Sequence, residues 1–116
     1  MPNFTSRLSL EDEVLVITVH DPVTTDQRAA LTDDLHTLIT SHAPAGVVIS
    51  LTPRAGTTPA ASVVLRLSQH CARAGLPLAV ATPAPAVRRL INANQPSLPV
   101  HGHTDDALQA ARHRRH

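Results

Sequence analysis

Aromatic residues and cysteine are almost absent from this sequence. Phe4 is its only aromatic residue, and Trp and Tyr do not occur. A hydrophobic core must therefore be built from Val, Leu, Ile and Ala, which allows helices to lie close to a sheet. Cys71 is the only cysteine, so an internal disulfide is excluded and a reducing, cytoplasmic setting is the default expectation. Because Cys71 falls on an apolar helix face, we expect a core residue rather than a reactive thiol.

Lysine is also missing, and the net charge is small. All ten basic side chains are arginines, and nine acids leave a formal net charge of +1. This balance argues against a nucleic-acid-binding surface. No apolar run approaches the ~20 residues of a membrane-spanning helix, and the start of the chain lacks the apolar segment of a signal peptide. The sequence therefore predicts a soluble, cytoplasmic protein that is not exported and has no membrane partner.

Motifs of catalysis and metal binding are absent as well. The sequence contains no Ser/His/Asp spacing, nucleophile elbow, Walker-type loop or Gly-x-Gly-x-x-Gly, so we expect neither enzyme activity nor a cofactor. Neither the pair His101 and His103 nor the pair His113 and His116 has the spacing of a zinc site, which needs about four converging ligands. The acidic residues 11–13 are interpreted as a solvated turn rather than as an acid/base pair.

The chain length suits one domain with a single core, since the sequence has 116 residues. We predict one domain over residues 1–116, with its core at about 5–111 and a polar C-terminal tail at 112–116. Residues 5–10 alternate polar with apolar side chains, and residues 14–19 are a β-branched run. The two segments together predict a β-hairpin.

A first helix is predicted after this hairpin. Thr24 and Gln27 have the spacing of a capping box, which opens helices. Apolar residues then recur at helical spacing, with Thr32 among the residues predicted to point outward, and Pro44 stops the pattern. The residues predicted to face a sheet are Leu31, Leu35, Leu38 and Ile39.

Residues 47–75 are the stretch around which the other elements are arranged. Residues 47–51 are an apolar, β-branched run typical of a buried strand. Thr58 precedes Pro59, so we predict that Thr58 is the N-cap and Pro59 the first residue of a helix that ends at Gly75. The apolar face of this helix comprises Ala60, Val63, Val64, Leu67, Cys71 and Ala74; the opposite stripe comprises Ser62, Arg66, Gln69 and Arg73.

The remaining elements continue the alternation of strands and helices. Residues 76–81 are a second apolar run, and a strand, a helix and a strand with short joints predict a parallel βαβ unit. Residues 86–93 fit a short helix, and residues 97–101 a last edge strand that prolines limit. Thr104 is predicted to cap a final helix.

Several phrases of the sequence, in their order, resemble the STAS domain of bacterial anti-sigma factor antagonists. They are VVISL at residues 47–51, TTPA at 57–60, LPLAVATPAPAVRRL at 76–90 and DDAL at 105–108. The likeness to this family, of which the chain would be a divergent member, covers roughly residues 8–111, and APAVRRL after a strand is its most specific part. It implies a single STAS-like α/β domain, with a mixed sheet of four to five strands and about four helices packed mainly on one face.

The resemblance also points to a phosphorylated hydroxyl. Aligned back from Gly75, Thr58 takes the position of the family's phosphorylatable serine and Thr57 that of the preceding aspartate. Aligned forward from Val47 without a gap, Thr58 falls on the aspartate and Pro59 on the serine. The first register keeps a hydroxyl at the phosphoacceptor position, so the resemblance implies Thr58 as the phosphoacceptor and Thr57 as the second choice.

The function that the resemblance implies is protein binding rather than catalysis. Antagonists of this family dock an anti-sigma factor with a kinase-type ATPase domain, which then phosphorylates them. Two alternatives stay open: a STAS scaffold or oligomerisation module, such as a homodimer, that is not phosphorylated, and a module that binds a small ligand or nucleotide at the same helix N-terminus. The implied partner-binding residues are Asp21, Thr24, Thr57, Thr58, Pro59, Ser62 and Arg66.

Overall fold

Five strands and four helices follow one another in the computed structural model. It describes residues 3–9 and 13–113, with residues 112 and 113 described by their backbone only. Part of the predicted acidic turn, residues 11 and 12, and the predicted tail residues 114–116 lie outside the described residues. The strands are β1 (Phe4–Leu8), β2 (Val14–Val19), β3 (Gly46–Leu51), β4 (Leu78–Ala81) and β5 (Val100–His101); the helices are α1 (Arg28–His42), α2 (Thr58–Arg73), α3 (Pro85–Asn94) and α4 (Thr104–His113).

The strands form one mixed sheet in the order β1-β2-β3-β4-β5. β1 and β2 are the predicted antiparallel hairpin, with Phe4 opposite Val19. The other neighbours are parallel, and each parallel pair is joined through a helix. Because Leu15, Val47 and Leu78 are aligned across the sheet, the same alternation of side chains runs through all three central strands. The predicted mixed α/β sheet is confirmed.

Each face of the sheet carries its own buried cluster, because successive strand residues point to opposite sides. On what we call the three-helix face, large aliphatic residues pack against α1, α2 and α3; the strand residues are Leu15, Ile17, Val19, Val47, Ile49, Leu51, Leu78 and Val80. On what we call the α4 face, smaller residues pack against Ala107 and Ala111 of α4; they are Val14, Val16, Val48, Ala79 and Ala81. The expectation that the helices lie mainly on one face is confirmed.

The start of α1 is a short 3-10 turn, Thr25–Gln27, that leads directly into the helix. The side-chain oxygen of Gln27 accepts a hydrogen bond from the backbone N–H of Thr24 at 3.1 Å, as the predicted capping pair requires. The prediction that Thr32 points outward is wrong, since Thr32 is buried. Its hydroxyl donates to the carbonyl of Arg28 at 2.8 Å, and this bond within the helix allows the polar side chain to be buried.

The ends of α2 and α4 differ slightly from the prediction. α2 ends at Arg73, so Ala74 is exposed rather than part of the apolar face. Gly75 follows with φ of +68°, and a Cβ added there would meet nothing within 4 Å. Thr104 is the first residue of α4 rather than the residue before it. Its hydroxyl shares a hydrogen bond of 2.7 Å with the hydroxyl of Ser50 in β3, so this side chain ties the helix to the sheet.

Candidate functional site

The N-cap of α2 is Thr57, so the prediction that Thr58 caps the helix is wrong. Thr57 has extended backbone angles, and its Oγ1 accepts a hydrogen bond from the N–H of Ala60 at 3.3 Å. The same hydroxyl donates to the carbonyl of Val23 at 3.4 Å. Either threonine satisfies the local preference for a hydroxyl at this point. Only Thr57 also forms a hydrogen bond to the loop that follows β2. This bond between segments distant in sequence explains why Thr57 rather than Thr58 is the cap.

Thr58 is consequently the first helical residue, and its side chain is exposed. Among the described residues its hydroxyl has no hydrogen-bond partner. The next residue, Pro59, is half-buried and lacks a backbone N–H. The start of a helix carries a partial positive charge, so negative charge on Thr58 would be tolerated there. The Thr58 hydroxyl is therefore accessible and does not take part in capping the helix.

The loop after β2 lies beside the loop before α2. β2 and β3 are parallel neighbours, so the segments that follow them leave the sheet at the same edge. The hydroxyl of Thr52 donates to the carbonyl of His20 at 2.7 Å, and Arg54 forms an ion pair with Asp21 at 3.4 Å. Because both charged side chains are more than half exposed, this ion pair contributes little stability.

The predicted residues of these two loops are thus brought together. Asp21 and Thr24 are exposed, and Val23 between them contacts Thr57 through the hydrogen bond described above. Asn3 fixes the other side of the loop, because its side chain donates to the carbonyl of Asp21 at 2.8 Å and accepts from the N–H of Asp21 at 2.6 Å. The sequence prediction missed Asn3, which lies before the first strand and carries no local signal for this contact.

Ser62 and Arg66 extend the site along α2. They lie four and eight residues after Thr58, so the three side chains share one helix face. Ser62 is half-buried and Arg66 is exposed. Arg66 also lines a groove of about 440 Å³ between α1 and α2, opposite Asp33. The seven predicted partner-binding residues lie in the loop after β2 and at the start and along one face of α2; we call them together the α2 patch: Asp21, Thr24, Thr57, Thr58, Pro59, Ser62 and Arg66.

Gly56 gives the α2 patch a second support that sequence reasoning did not identify. A Cβ added at Gly56 would lie 2.7 Å from the Cβ of Ala84, a distance that requires one of the two segments to move. Ala84 is held in turn by its own N–H, which donates to the buried hydroxyl of Thr82 at 3.2 Å. Glycine permits such a close approach because it has no Cβ, and Gly56 stands directly before the two threonines in the sequence.

The opposite end of α2 borders an open, largely apolar cleft. The cleft has a volume of about 290 Å³ and lies between α1 and α2; its lining includes apolar side chains, Thr40, His36, His70 and Cys71. The two imidazole rings are stacked with centroids 4.4 Å apart. Burial raises the pKa of the Cys71 thiol to about 11, so the thiol is protonated at neutral pH and is a poor nucleophile. The prediction of Cys71 as a core residue is confirmed.

Neither a metal centre nor a membrane span is found in residues 3–9 and 13–113. No cluster of three or more His, Cys, Asp or Glu residues in these ranges is placed to hold a metal ion. None of the described helices has the length and apolar character needed to cross a bilayer. The chemistry that the described site offers is consequently that of a surface with hydroxyls, one free arginine and a helix start.

Comparisons with known proteins identify the fold. No protein-family model and no curated protein sequence matches the chain. Among solved structures, a serine-to-glutamate variant of Moorella thermoacetica RsbS superposes with a TM-score of 0.75 at 15% identity, covering 97% of both chains. A chain from a structure described as the molecular architecture of the stressosome, a signal integration and transduction hub, superposes with a TM-score of 0.70 at 17% identity, covering 88% of this chain and 92% of that one. RsbS is a STAS-domain protein, and this chain has the fold of a STAS domain.

Proposed function

We propose that this chain is a regulatory protein-binding module whose α2 patch docks an anti-sigma factor with a kinase-type ATPase domain. The observation that carries the proposal is the exposed Thr58 hydroxyl at the start of α2, beside a loop that hydrogen bonds hold in place. The stressosome structure is described as a signal integration and transduction hub, and this description of a neighbour with the same fold supports a regulatory role. A cytoplasmic location is part of the proposal.

The proposed switch is phosphorylation of Thr58. Because Thr57 supplies the helix cap, modification of Thr58 leaves the cap intact. A phosphate adds nearly two negative charges, which the helix start tolerates but which change the surface that a partner meets. Docking would be lost through desolvation and repulsion against acidic groups of the partner, without a change of fold.

Phosphorylation is tested by incubating the protein with a kinase-type anti-sigma factor from the same genome and ATP, and then measuring intact mass. We expect the wild type and Thr57→Ser to gain one phosphate, because Thr57→Ser keeps the cap and leaves Thr58 in place. Thr58→Ala should gain none. No gain in the wild type, or an equal gain in Thr58→Ala, would remove the phosphorylation switch from the proposal.

Docking is tested separately by calorimetry with the same partner. Arg66→Ala removes an exposed charge from the α2 patch and should weaken binding about tenfold or more, while the free energy of unfolding changes by about 0.5 kcal/mol or less. Arg73→Ala is the matched control, because Arg73 is also exposed and lies two turns further along α2. Equal effects of the two substitutions would show that the α2 patch is not the docking site.

A scaffold that is not phosphorylated is the second candidate. It is favoured by Thr57, which holds the helix cap at the position where the family resemblance expects an aspartate. In that case Thr58→Ala and Thr58→Glu should bind a partner, or a second copy of the chain, as tightly as the wild type does. Tighter binding of Thr58→Ala than of Thr58→Glu would favour the switch instead.

A further inference from the structure

The two edges of the sheet are protected to different degrees. β5 forms one edge and comprises only two residues, Val100–His101, which directly follow Pro99. A short edge strand and a proline beside it both hinder pairing with a further strand. β1 forms the other edge with five residues, and it contains no proline and only one charged side chain, Arg7. The edge that is open to a further strand is therefore that of β1, which we call the β1 edge.

The hydrogen bonds of the hairpin show which backbone groups of β1 point outward. The N–H of Ser9 donates to the carbonyl of Val14 at 3.0 Å, and the N–H of His20 donates to the carbonyl of Asn3 at 3.0 Å. Because alternate residues of an antiparallel strand bond to the same neighbour, the odd-numbered residues of β1 bond to β2. The residues whose N–H and C=O groups point to the β1 edge are consequently Phe4, Ser6 and Leu8. Of the described strands, only β2 pairs with β1.

The side chains of β1 leave this edge accessible. Residues 5–7 are exposed. Phe4 and Leu8 are half-buried, and both pack against the apolar cluster of the three-helix face. Ser6 lies between them on the same face, since side chains alternate along a strand. The β1 edge thus carries a partly exposed apolar side chain at each end and a small polar one at its centre.

We propose that β1 pairs with β1 of a second copy of this chain, antiparallel about Ser6. Two sheets of five strands then join into one sheet of ten. In this register Ser6 faces the partner's Ser6, and Phe4 faces the partner's Leu8. All three outward-pointing residues fall in hydrogen-bonded pairs, in which each residue donates one bond and accepts one. Arg7 faces the partner's Thr5, so no like charges lie directly opposite each other.

The sequence of β1 favours a second copy over an unrelated strand. The strand FTSRL has an apolar residue at each end and serine at its centre, so its outward-pointing residues match their own reversed order. A shift of the register by two residues removes one hydrogen-bonded pair and separates Phe4 from the partner's Leu8. An aromatic side chain opposite an aliphatic one stabilises a strand pair, and each of these half-buried side chains becomes more buried in the dimer.

The length of β1 sets the expected strength of the dimer. Stable protein interfaces bury about 1,200 Å² or more, whereas strands of this length pair over only about 17 Å. We therefore expect a reversible dimer with a dissociation constant of about 100 µM. The β1 edge shares no residue with the α2 patch, so this proposal does not rest on the function proposed for that patch, and either one can fail while the other holds.

The test is sedimentation equilibrium of the full chain at concentrations up to about 1 mM. Ser6→Lys places two positive charges opposite each other at the centre of the pairing and should weaken the dimer about tenfold or more, and Ser6→Glu should do so through two negative charges. An equimolar mixture of the two variants should recover the dimer, because opposite charges then face each other. Ser41→Lys is the matched control, since Ser41 is exposed on α1, and it should leave the dissociation constant unchanged.

A backbone variant tests the hydrogen bonds separately from charge. Ser6→Pro removes an N–H that points to the β1 edge and none that bonds to β2, and proline is tolerated on an edge strand in that position. It should weaken the dimer about tenfold or more, while circular dichroism confirms that the monomer is folded. If Ser6→Pro unfolds, the mixture of the Lys and Glu variants still decides the outcome.

Three results would overturn the proposal. The first is a wild type that stays monomeric at about 1 mM, including one that instead accepts a strand from another protein. The second is a dimer that Ser6→Lys and Ser41→Lys weaken equally or not at all. The third is a mixture of Ser6→Lys and Ser6→Glu that dimerises no better than either variant alone, because residue 6 would then not face its own copy.

Discussion

The two faces of the sheet are packed in different ways. The three-helix face is filled by Leu, Ile and Val side chains from three central strands. The α4 face uses mainly Val and Ala against a single helix, and it includes the hydrogen bond between Ser50 and Thr104. One face therefore depends on apolar volume, and the other on close approach and on hydroxyl pairing.

This difference shows how a protein with a single aromatic residue can build its core. Large aliphatic side chains supply buried apolar area on one side, and alanines allow α4 to approach the sheet on the other. Substitutions of opposite kinds should consequently damage the two faces: removal of volume on the three-helix face, and addition of volume on the α4 face.

The largest expected effect is on the three-helix face. Ile49→Ala removes most of a side chain that is 1% exposed and should lower the free energy of unfolding by about 4 kcal/mol, because the transfer free energy is lost and a cavity remains. Urea unfolding measures the change. Val48→Ala, its neighbour on the α4 face, is the control; a larger loss there would reverse the comparison.

Added volume tests the α4 face. Ala79 of β4 is fully buried in the cluster on that face, so Ala79→Leu should destabilise the protein by about 3 kcal/mol through overpacking. Thermal unfolding at fixed pH provides the readout. Unchanged or increased stability would mean that the α4 face has free space, and the contrast between the faces would then lose its basis.

Burial on the three-helix face can be tested through the pKa of the Cys71 thiol. The pKa of the thiol is raised from 9.0 to about 11 by burial, so between these values the unfolded chain loses a proton that the folded chain keeps. The contribution of this thiol to the free energy of unfolding is therefore fully present below pH 9. The free energy of unfolding falls by about 2 kcal/mol as the pH rises to 11. The fall in the free energy of unfolding with pH should be weaker in Cys71→Ala. If urea unfolding from pH 8 to 11 gives the same dependence on pH for both proteins, the prediction is wrong.

A smaller effect is expected from the hydroxyl pair of the α4 face. Ser50→Ala removes one partner of the 2.7 Å hydrogen bond to Thr104 and should cost about 1 kcal/mol. Thr104→Val leaves Ser50 unpaired, and because Ser50 is buried, it should cost at least as much. If both substitutions are neutral, the α4 face depends on packing alone.

Much of this fold could be predicted from the sequence, because its strongest patterns are local. The β-branched runs of β2 and β3 and the apolar face of α2 are repeated in the buried positions of the structure. The face that α4 covers could not be predicted, since Ala107 and Ala111 fit either side of a sheet. Thr104 shows the same limit: its hydroxyl pairs with Ser50, 54 residues away.

The α2 patch stays a prediction as a docking site, whereas the role of each adjacent threonine in the helix cap is decided by the structure and could not be predicted. Adjacent threonines meet the same local rule for a helix cap, and the bond of Thr57 to Val23 decides between them. The support that Gly56 receives from Ala84 likewise depends on two loops that meet only in the folded chain. The local sequence thus identifies the residues that can cap the helix, and contacts between segments distant in sequence determine which of them does so.

Gly75 has one further consequence, which concerns chirality. Its φ of +68° strains any L side chain, although an L Cβ built there would meet nothing within 4 Å, and Gly75 itself is exposed. A D-alanine has the mirror-image preference and adopts this backbone conformation without strain. Placed there by chemical ligation, it should stabilise the protein by about 0.5 kcal/mol by restricting the unfolded chain, whereas L-alanine should destabilise it. The end of α2 is thus a position where reversed handedness is an advantage.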